Sequence, residues 1–284
     1  MGPIKNVGRG IMDTVRFDDL SPEEYKKQTQ RHWTSVPCGS NYSDKEFLSK
    51  EFFDEIETHR YATHPWIIEN IRRFNIKGKK VLEIGCGMGT DHLAMAREGG
   101  EMVGIDLTPK NLAISKNRFE IYGFSSGFVV GDAENLPLKN ESFDFVYSFG
   151  VIHHSPDTQR IVSEIYRILK CEGRCWVTVY HKNSIYFWLS VFTVGWLLHG
   201  RFLRESIKQQ MSRIEYPNNN PNLVIRLYRR KEFEKMFNGF RHVSSSIDHL
   251  VSENMSYIGK YIPARILSWL GKRFGWYVII EAIK

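Results

Sequence analysis

An apolar run ending in three glycines, Val81-Leu82-Glu83-Ile84-Gly85-Cys86-Gly87-Met88-Gly89-Thr90-Asp91, constrains this chain more than any other stretch. The apolar part fits a strand buried on both faces, as parallel strands are. Glycines two apart let the backbone turn tightly and approach a ligand closely. Such a turn, opening onto the N-terminus of a helix, is a nucleotide-type pocket in doubly wound α/β folds. The spacing is Gly-x-Gly-x-Gly. Thr90 stands where the dinucleotide fingerprint Gly-x-Gly-x-x-Gly has its last glycine, which counts against a nicotinamide-dependent oxidoreductase.

Downstream of the glycines, strand and helix patterns alternate. Strands are expected at 81–84, 101–105, 127–130, 143–148 and 174–180, and helices at 90–97, 109–122 and 157–169. Thr108 and Pro109 read as cap and first-turn proline of the second of these helices. Alternation of this kind means βαβ units and a parallel sheet. After Tyr180 the regularity stops for some fifty residues. It resumes with a helix at 231–237, strands at 242–247 and 276–282, and an amphipathic helix at 262–274 between those strands. Upstream, apolar residues recur helically over 44–73, with Pro65 dividing two helices, while 1–43 reads as an irregular arm. The expected organisation is an arm and helical cap over 1–75 and one domain over 76–284. Insertions at about 182–230 and 250–273 supply a lid.

Composition narrows the partners. A hydrophobic fraction of 42% and a charged fraction of 25% are ordinary for a globular protein. The net charge of +7 suits anionic partners. The basic residues are dispersed, however, with only small clusters at Lys77, Lys79 and Lys80 and at Arg229-Arg230-Lys231, so a nucleic-acid partner is disfavoured. Four scattered cysteines, Cys38, Cys86, Cys171 and Cys175, argue for a reducing compartment. With no secretory leader evident, a cytoplasmic location is expected. No metal-ligand spacing stands out, since Cys171 and Cys175 lack a matching pair. The nearly all-apolar segment 185–199 is shorter than the ~20 residues a membrane-spanning helix needs. It reads as pocket wall, core, or a peripheral contact with a membrane interface. The oligomeric state is not encoded in any visible pattern.

At this point the chain resembles the class I S-adenosylmethionine-dependent methyltransferases, particularly the group that includes the quinone and small-molecule methyltransferases. The motifs carrying the resemblance run from Val81 to Tyr180 in the family's order. It implies a Rossmann-like, doubly wound sheet of seven strands, mostly parallel with an antiparallel last strand, and S-adenosylmethionine as cofactor. Glu83-x-Gly85-Cys86-Gly87-x-Gly89 is similar to the family's cofactor loop, facing the methionine part. Asp106, ending the second strand, would accept from both ribose hydroxyls, and Leu107 would pack on the adenine. Asp132 would accept from the adenine amino group, with the amide of Ala133 meeting a ring nitrogen. Phe149 would border the cofactor.

Chemistry beyond the cofactor rests on weaker signals. His153 and His154 follow the fourth strand, where imidazoles titrating near neutrality can serve as a general base or form a hydrogen-bonded structural pair. His181, after the fifth strand, is a third candidate for removing a proton. Tyr61, His64, Tyr180, Trp188 and Tyr228 are candidates for lining the acceptor pocket, where aromatic faces attract a sulfonium. There is no Asn-Pro-Pro-Tyr motif after the fourth strand, which disfavours methylation of an adenine amino group. The expected activity is O- or C-methylation of a small, partly apolar molecule of isoprenoid, quinone-like, lipid-linked or secondary-metabolite type. A methyltransferase acting on RNA or another polymer, an oxidoreductase, and a non-catalytic binding module are the competing readings.

Overall fold

The computed structural model describes residues 20–213, 215 and 225–284. The first nineteen residues of the expected arm, and residues 214 and 216–224 of the first expected insertion, lie outside the described residues.

The strands are β1 (Lys80–Ile84), β2 (Glu101–Asp106), β3 (Gly127–Val130), β4 (Phe143–Phe149), β5 (Leu169–His181), β6 (Leu227–Tyr228), β7 (His242–Asp248) and β8 (Tyr277–Ile283). They form one sheet in the order β3-β2-β1-β4-β5-β8-β7, with β6 paired to β5 beside this path. β8 runs antiparallel to both its neighbours and the other pairings are parallel. The two-residue β6 makes eight strands where seven are expected, because Leu227 and Tyr228 pair with Tyr180 and His181. Two residues carry no readable period, so sequence reasoning passes over them.

The helices are α1 (Pro22–Ser35), α2 (Lys50–Thr63), α3 (Pro65–Arg73), α4 (Thr90–Arg97), α5 (Pro109–Ile121), α6 (Thr158–Ile168), α7 (Ile207–Ser212), α8 (Arg230–Lys235) and α9 (Ala264–Phe274). α1 lies inside the stretch expected to be an irregular arm. Ser21 caps it and exchanges hydrogen bonds with Glu24, and Pro22 fills its first turn. β5 starts five residues earlier than expected. Glu172, at φ 61°, bends its first part around Gly173.

Alternate residues of each central strand feed two cores. Val81, Phe145, Tyr147 and Trp176 pack with α3 and α4 through Ile67, Ile71, Leu93 and Met95. Leu82, Val146, Val177 and Val179 pack with α6 and α8 through Ile161, Ile165 and Phe233. Each fully buried side chain of this size contributes about 1.5–3 kcal/mol. A sheet so clamped fixes the tips of β1, β2 and β4. β1 has β2 on one side and β4 on the other, and crossovers leave in opposite directions there, the usual position of a ligand crevice.

Candidate active site

The glycine turn hangs from β2. Gly85 N–H donates to the Ile105 carbonyl at 2.7 Å, and Gly89 N–H donates to the Cys86 carbonyl at 2.8 Å. Gly85, at φ 74°, lies so close to Val151 that an added Cβ would sit 2.4 Å from its Cγ2. Gly87 differs: φ is 52°, and nothing stands within 4 Å of where its Cβ would be. The turn therefore presents bare backbone to an open crevice. The Asp106 carboxylate underpins it, accepting from Gly87 N–H at 3.0 Å and Thr108 N–H at 2.8 Å. Burial raises this carboxyl above its ordinary range, and those amide donors work against that rise. Beside it, Thr108 Oγ1 and Asn111 Oδ1 are buried without a hydrogen-bond partner among the described residues. A buried carboxylate, unfilled polar atoms and open glycine backbone together fit a ligand bearing a ribose diol.

The Leu107 and Asp132 end of the crevice is met by α1. Gln30 donates to the Leu107 carbonyl at 2.7 Å. Lys26 Nζ donates to Asp132 Oδ2 at 2.6 Å and is ion-paired with Glu134. Asp132 Oδ1 in turn accepts from Glu134 N–H at 2.9 Å, which stiffens the loop on which Ala133 packs against the second core. A helix expected to be an irregular arm thus touches the two residues assigned to the adenine.

A cluster that sequence reasoning missed stands on the other flank of the turn. Arg60 of α2 grips Asp91 of α4 in a two-pronged ion pair, with Nε 2.7 Å from Oδ1. Tyr147 donates to Asp91 Oδ2 at 2.7 Å and Tyr61 to Oδ1 at 3.2 Å. Burial would raise the Asp91 carboxyl, but Arg60 more than offsets it and holds the group below its ordinary value. The guanidinium also lies over the Phe149 ring at 4.5 Å. Arg60 thus brings a cation to Asp91, two residues past Gly89. The only sequence signal was an Arg in the last turn of a helix.

Glu83 turns the other way. Its Oε2 meets His92 Nδ1 at 2.9 Å beneath the turn, and burial pushes the carboxyl up and His92 down to about 3. Cys86 is buried and its thiol is pushed well above the ordinary range, which removes it as a nucleophile.

Beyond Phe149 lies a second polar cluster. His153 and His154, in a single 3₁₀ turn, lie against each other in a tilted contact with ring centroids 4.2 Å apart. Both reach Glu215: His154 Nε2 is 3.2 Å from Oε2 and His153 Nε2 is 3.8 Å from Oε1. Tyr180 donates to Oε1. Burial pushes His153 down to about 4. Burial would raise Glu215, yet the two imidazoles hold it well below the ordinary carboxylate range. Trp33 of α1 closes over His154 at 5.7 Å. The surrounding wall is aromatic: Trp66, Phe149, Trp276 and Tyr277 lie within stacking or edge contact of one another or of Tyr180. Ligand atoms of His153, His154 and Glu215 lie within 4.8 Å of one another, a group that can also hold a metal ion. Sequence reasoning had no means to find Glu215, which lies where the sequence shows no regular period.

The remaining candidates sit elsewhere. His181 is buried with Nδ1 3.0 Å from the Gly275 carbonyl, a bond that ties β5 to the start of β8. Tyr228 is buried between Phe233 and Thr158, whose hydroxyl accepts from it at 2.8 Å. Trp188 is 48% exposed. None of these three is joined to the Glu215 cluster by a contact among the described residues. The neighbours of His181 make it a structural tie. His64 stacks on His249 at 4.2 Å and edges Phe149 at 5.9 Å, which keeps it beside the crevice.

The buried imidazoles predict a stability profile. His92, His153 and His249 are pushed to about 3, 4 and 4, and His64 to about 2. The unfolded chain takes protons near pH 6.5 that the folded chain refuses, so stability falls as pH drops below that value. Each such histidine costs about 1.4 kcal/mol per pH unit. Glu83 and Asp106, raised by burial, act in the opposite sense, and four histidines outweigh two carboxyls. Melting temperature is therefore expected to fall from pH 7 to pH 5. A flat profile in calorimetric scans would contradict the neutral histidines.

Residues 82–177 match a family described as "Methyltransferase domain". Over 117 residues the chain is 38% identical to a phthiotriol/phenolphthiotriol dimycocerosates methyltransferase of Mycobacterium leprae, covering 40% of this chain and 39% of that protein. Over 112 residues it is 27% identical to a ubiquinone biosynthesis O-methyltransferase of Coxiella burnetii, covering 39% and 48%. The chain thus spans less than half the length of these curated relatives. Its fold is similar to that of magnesium protoporphyrin IX methyltransferase from Synechocystis, solved with bound S-adenosylmethionine. That likeness has a TM-score of 0.55 and 15% identity, covering 92% of this chain and 97% of that one.

Proposed function

We propose that this chain, whose residues 82–177 match a methyltransferase-domain family, is a class I S-adenosylmethionine-dependent methyltransferase that acts on an oxygen or carbon of a small, partly apolar acceptor. The observation carrying the reading is Glu215, an ionised carboxylate between two imidazoles and a phenol at the end of an aromatic-walled crevice. When bound, the cofactor supplies a methyl group already activated by its positive sulfonium, so the protein chiefly has to orient and desolvate.

The chain's own residues divide that work. Asp106 would accept from the ribose hydroxyls and Asp132 from the adenine amino group, while the backbone of Gly85 and Gly87 and the Arg60 guanidinium would hold the methionine part. Phe149, Trp66 and Tyr277 would exclude water and pack on a flat or branched apolar acceptor. The acceptor's proton would pass to the Glu215–His153–His154 cluster as the new bond forms at the oxygen or carbon that loses it. The relatives' names are consistent with this class, being those of a lipid and a quinone methyltransferase. An isoprenoid, quinone-like or lipid-linked acceptor fits best.

The test is incubation with methyl-labelled donor and a panel comprising a prenylated hydroquinone, a long-chain diol and total RNA. Label is expected in the organic extract. Label in the RNA, or in no fraction while the donor binds, would overturn the acceptor assignment.

A further inference from the structure

The strongest surface feature lies on the side of the lid away from the crevice. Residues 186–198 wind as a π-helix, followed by a short turn at 201–203; residues 252–261 form a bent 3₁₀ segment leading into α9. These pieces pack together through Leu250, Met255 and Leu267, joined by Leu189, Ile262 and Leu270. Ser190 Oγ donates to the Asn254 carbonyl at 2.7 Å, which pins the π-helix to the bent segment. On the crevice side, Phe187 and Val191 join the core that contains Tyr180 and Trp276.

No described residue covers the outer side. Among the described residues, eleven of the seventeen exposed large apolar side chains fall between 188 and 274. They include Trp188 at 48%, Leu198 at 69%, Leu203 at 76%, Tyr257 at 72%, Tyr261 at 76% and Trp269 at 55% exposure. Concentration on one structural unit separates this from the scattered exposed apolar residues of ordinary surfaces. The charges there are mostly of one sign. Arg201, Arg204, Lys260, Arg265, Lys272 and Arg273 are exposed on the same pieces, against Glu205 and Glu253. Glu205 is already held by Arg213 at 2.5 Å. Lys260 lies over Tyr261 at 5.0 Å, and Arg273 over Trp269 at 4.7 Å. Aromatic rings with cations beside them match the boundary between acyl chains and headgroups. No helix among the described residues is long and apolar enough to cross a membrane.

We infer that the outer face of the lid docks on an anionic phospholipid surface, with its aromatic and aliphatic side chains entering the interface and its cations meeting the headgroup phosphates. The charge excess selects a bilayer over a second copy of this chain, because apposing two such faces would set like charges together. Docking there would lay the lid, and the acceptor end beneath it, against the phase in which an apolar acceptor dissolves. The surface stands on its own observations and does not depend on the acceptor assignment.

The experiment uses the full chain in flotation with vesicles of phosphatidylcholine alone, and of phosphatidylcholine containing about a quarter phosphatidylglycerol. Partition into the anionic vesicles is expected, weakening as salt rises. The triple variant Lys260→Glu/Arg265→Glu/Lys272→Glu, all at exposed positions, should lose at least about tenfold in partition. Donor binding by calorimetry should stay unchanged, which separates failure of the surface from failure of the methyltransferase reading. No partition into either vesicle, or equal partition of the variant, would overturn the inference. So would light scattering that finds a dimer disrupted by the same substitutions.

Discussion

Replacing Asp106 with alanine is expected to lower affinity for S-adenosylmethionine by about a hundredfold or more. Hydrogen bonds to a charged group contribute about 1.5–3 kcal/mol each, and two ribose hydroxyls would lose their acceptor together. That loss of roughly 3–6 kcal/mol corresponds to about 10²–10⁴ in dissociation constant. The substitution also removes the acceptor of Gly87 N–H and Thr108 N–H, so the turn itself loosens. Asp106→Asn separates the two effects. It keeps the shape and an oxygen for one amide, so folding should be nearly retained while the charge-assisted part of binding is lost. Isothermal calorimetry with a parallel thermal melt reads both. Unchanged affinity in the alanine variant would reject the crevice as the donor site. Because burial raises this carboxyl, affinity should also weaken on acidification before that of an ordinary aspartate would.

The place of Asp106 at a strand end was legible because everything that defines it is local. It closes a short apolar strand, and the glycine turn precedes it by one βα unit. The alternation of strands and helices followed for the same reason: short buried strands and intervening helices keep their own periods. What the sequence hid are partners far apart along the chain. Arg60 and Asp91 belong to different helices and meet only when α2 lies beside α4. Lys26 and Asp132 are more than a hundred residues apart. α1 carried a readable start in Ser21, Pro22 and Glu24 that was passed over within a polar stretch, where few apolar residues marked a buried face. The lid failed for another reason. Residues 186–198 are apolar all round, so no stripe indicates which side faces in, and π-helical winding changes the phase of the side chains. Trp188, expected on the wall, is half exposed.

Glu215→Gln is expected to reduce turnover by about 10²–10⁴-fold, the range that a positioned proton acceptor contributes, while donor affinity stays close to that of the parent chain. The amide that replaces the carboxylate would keep an oxygen for the Tyr180 hydroxyl, so the aromatic wall should hold its shape. What disappears is the negative charge that lets the cluster take a proton. In the parent chain His153 is neutral and Glu215 ionised at neutral pH, since burial holds the first at about 4 and the imidazoles hold the second well below the ordinary carboxylate range. Turnover should therefore be level through neutrality and fall as pH drops through about 4, when the imidazole fills. Without the anion, the imidazolium loses its stabilising neighbour, so the acid limb of the variant should move to lower pH. Glu215→Asp restores charge with a shorter reach and should recover part of the rate. A merely structural carboxylate would instead lower melting temperature and donor affinity and leave the position of the limb untouched. Steady-state rates over pH, with calorimetry on the same preparations, separate the two. If Glu215→Gln turns over like the parent, methyl transfer here needs no proton acceptor from this cluster, and its three side chains serve packing or hold a cation instead.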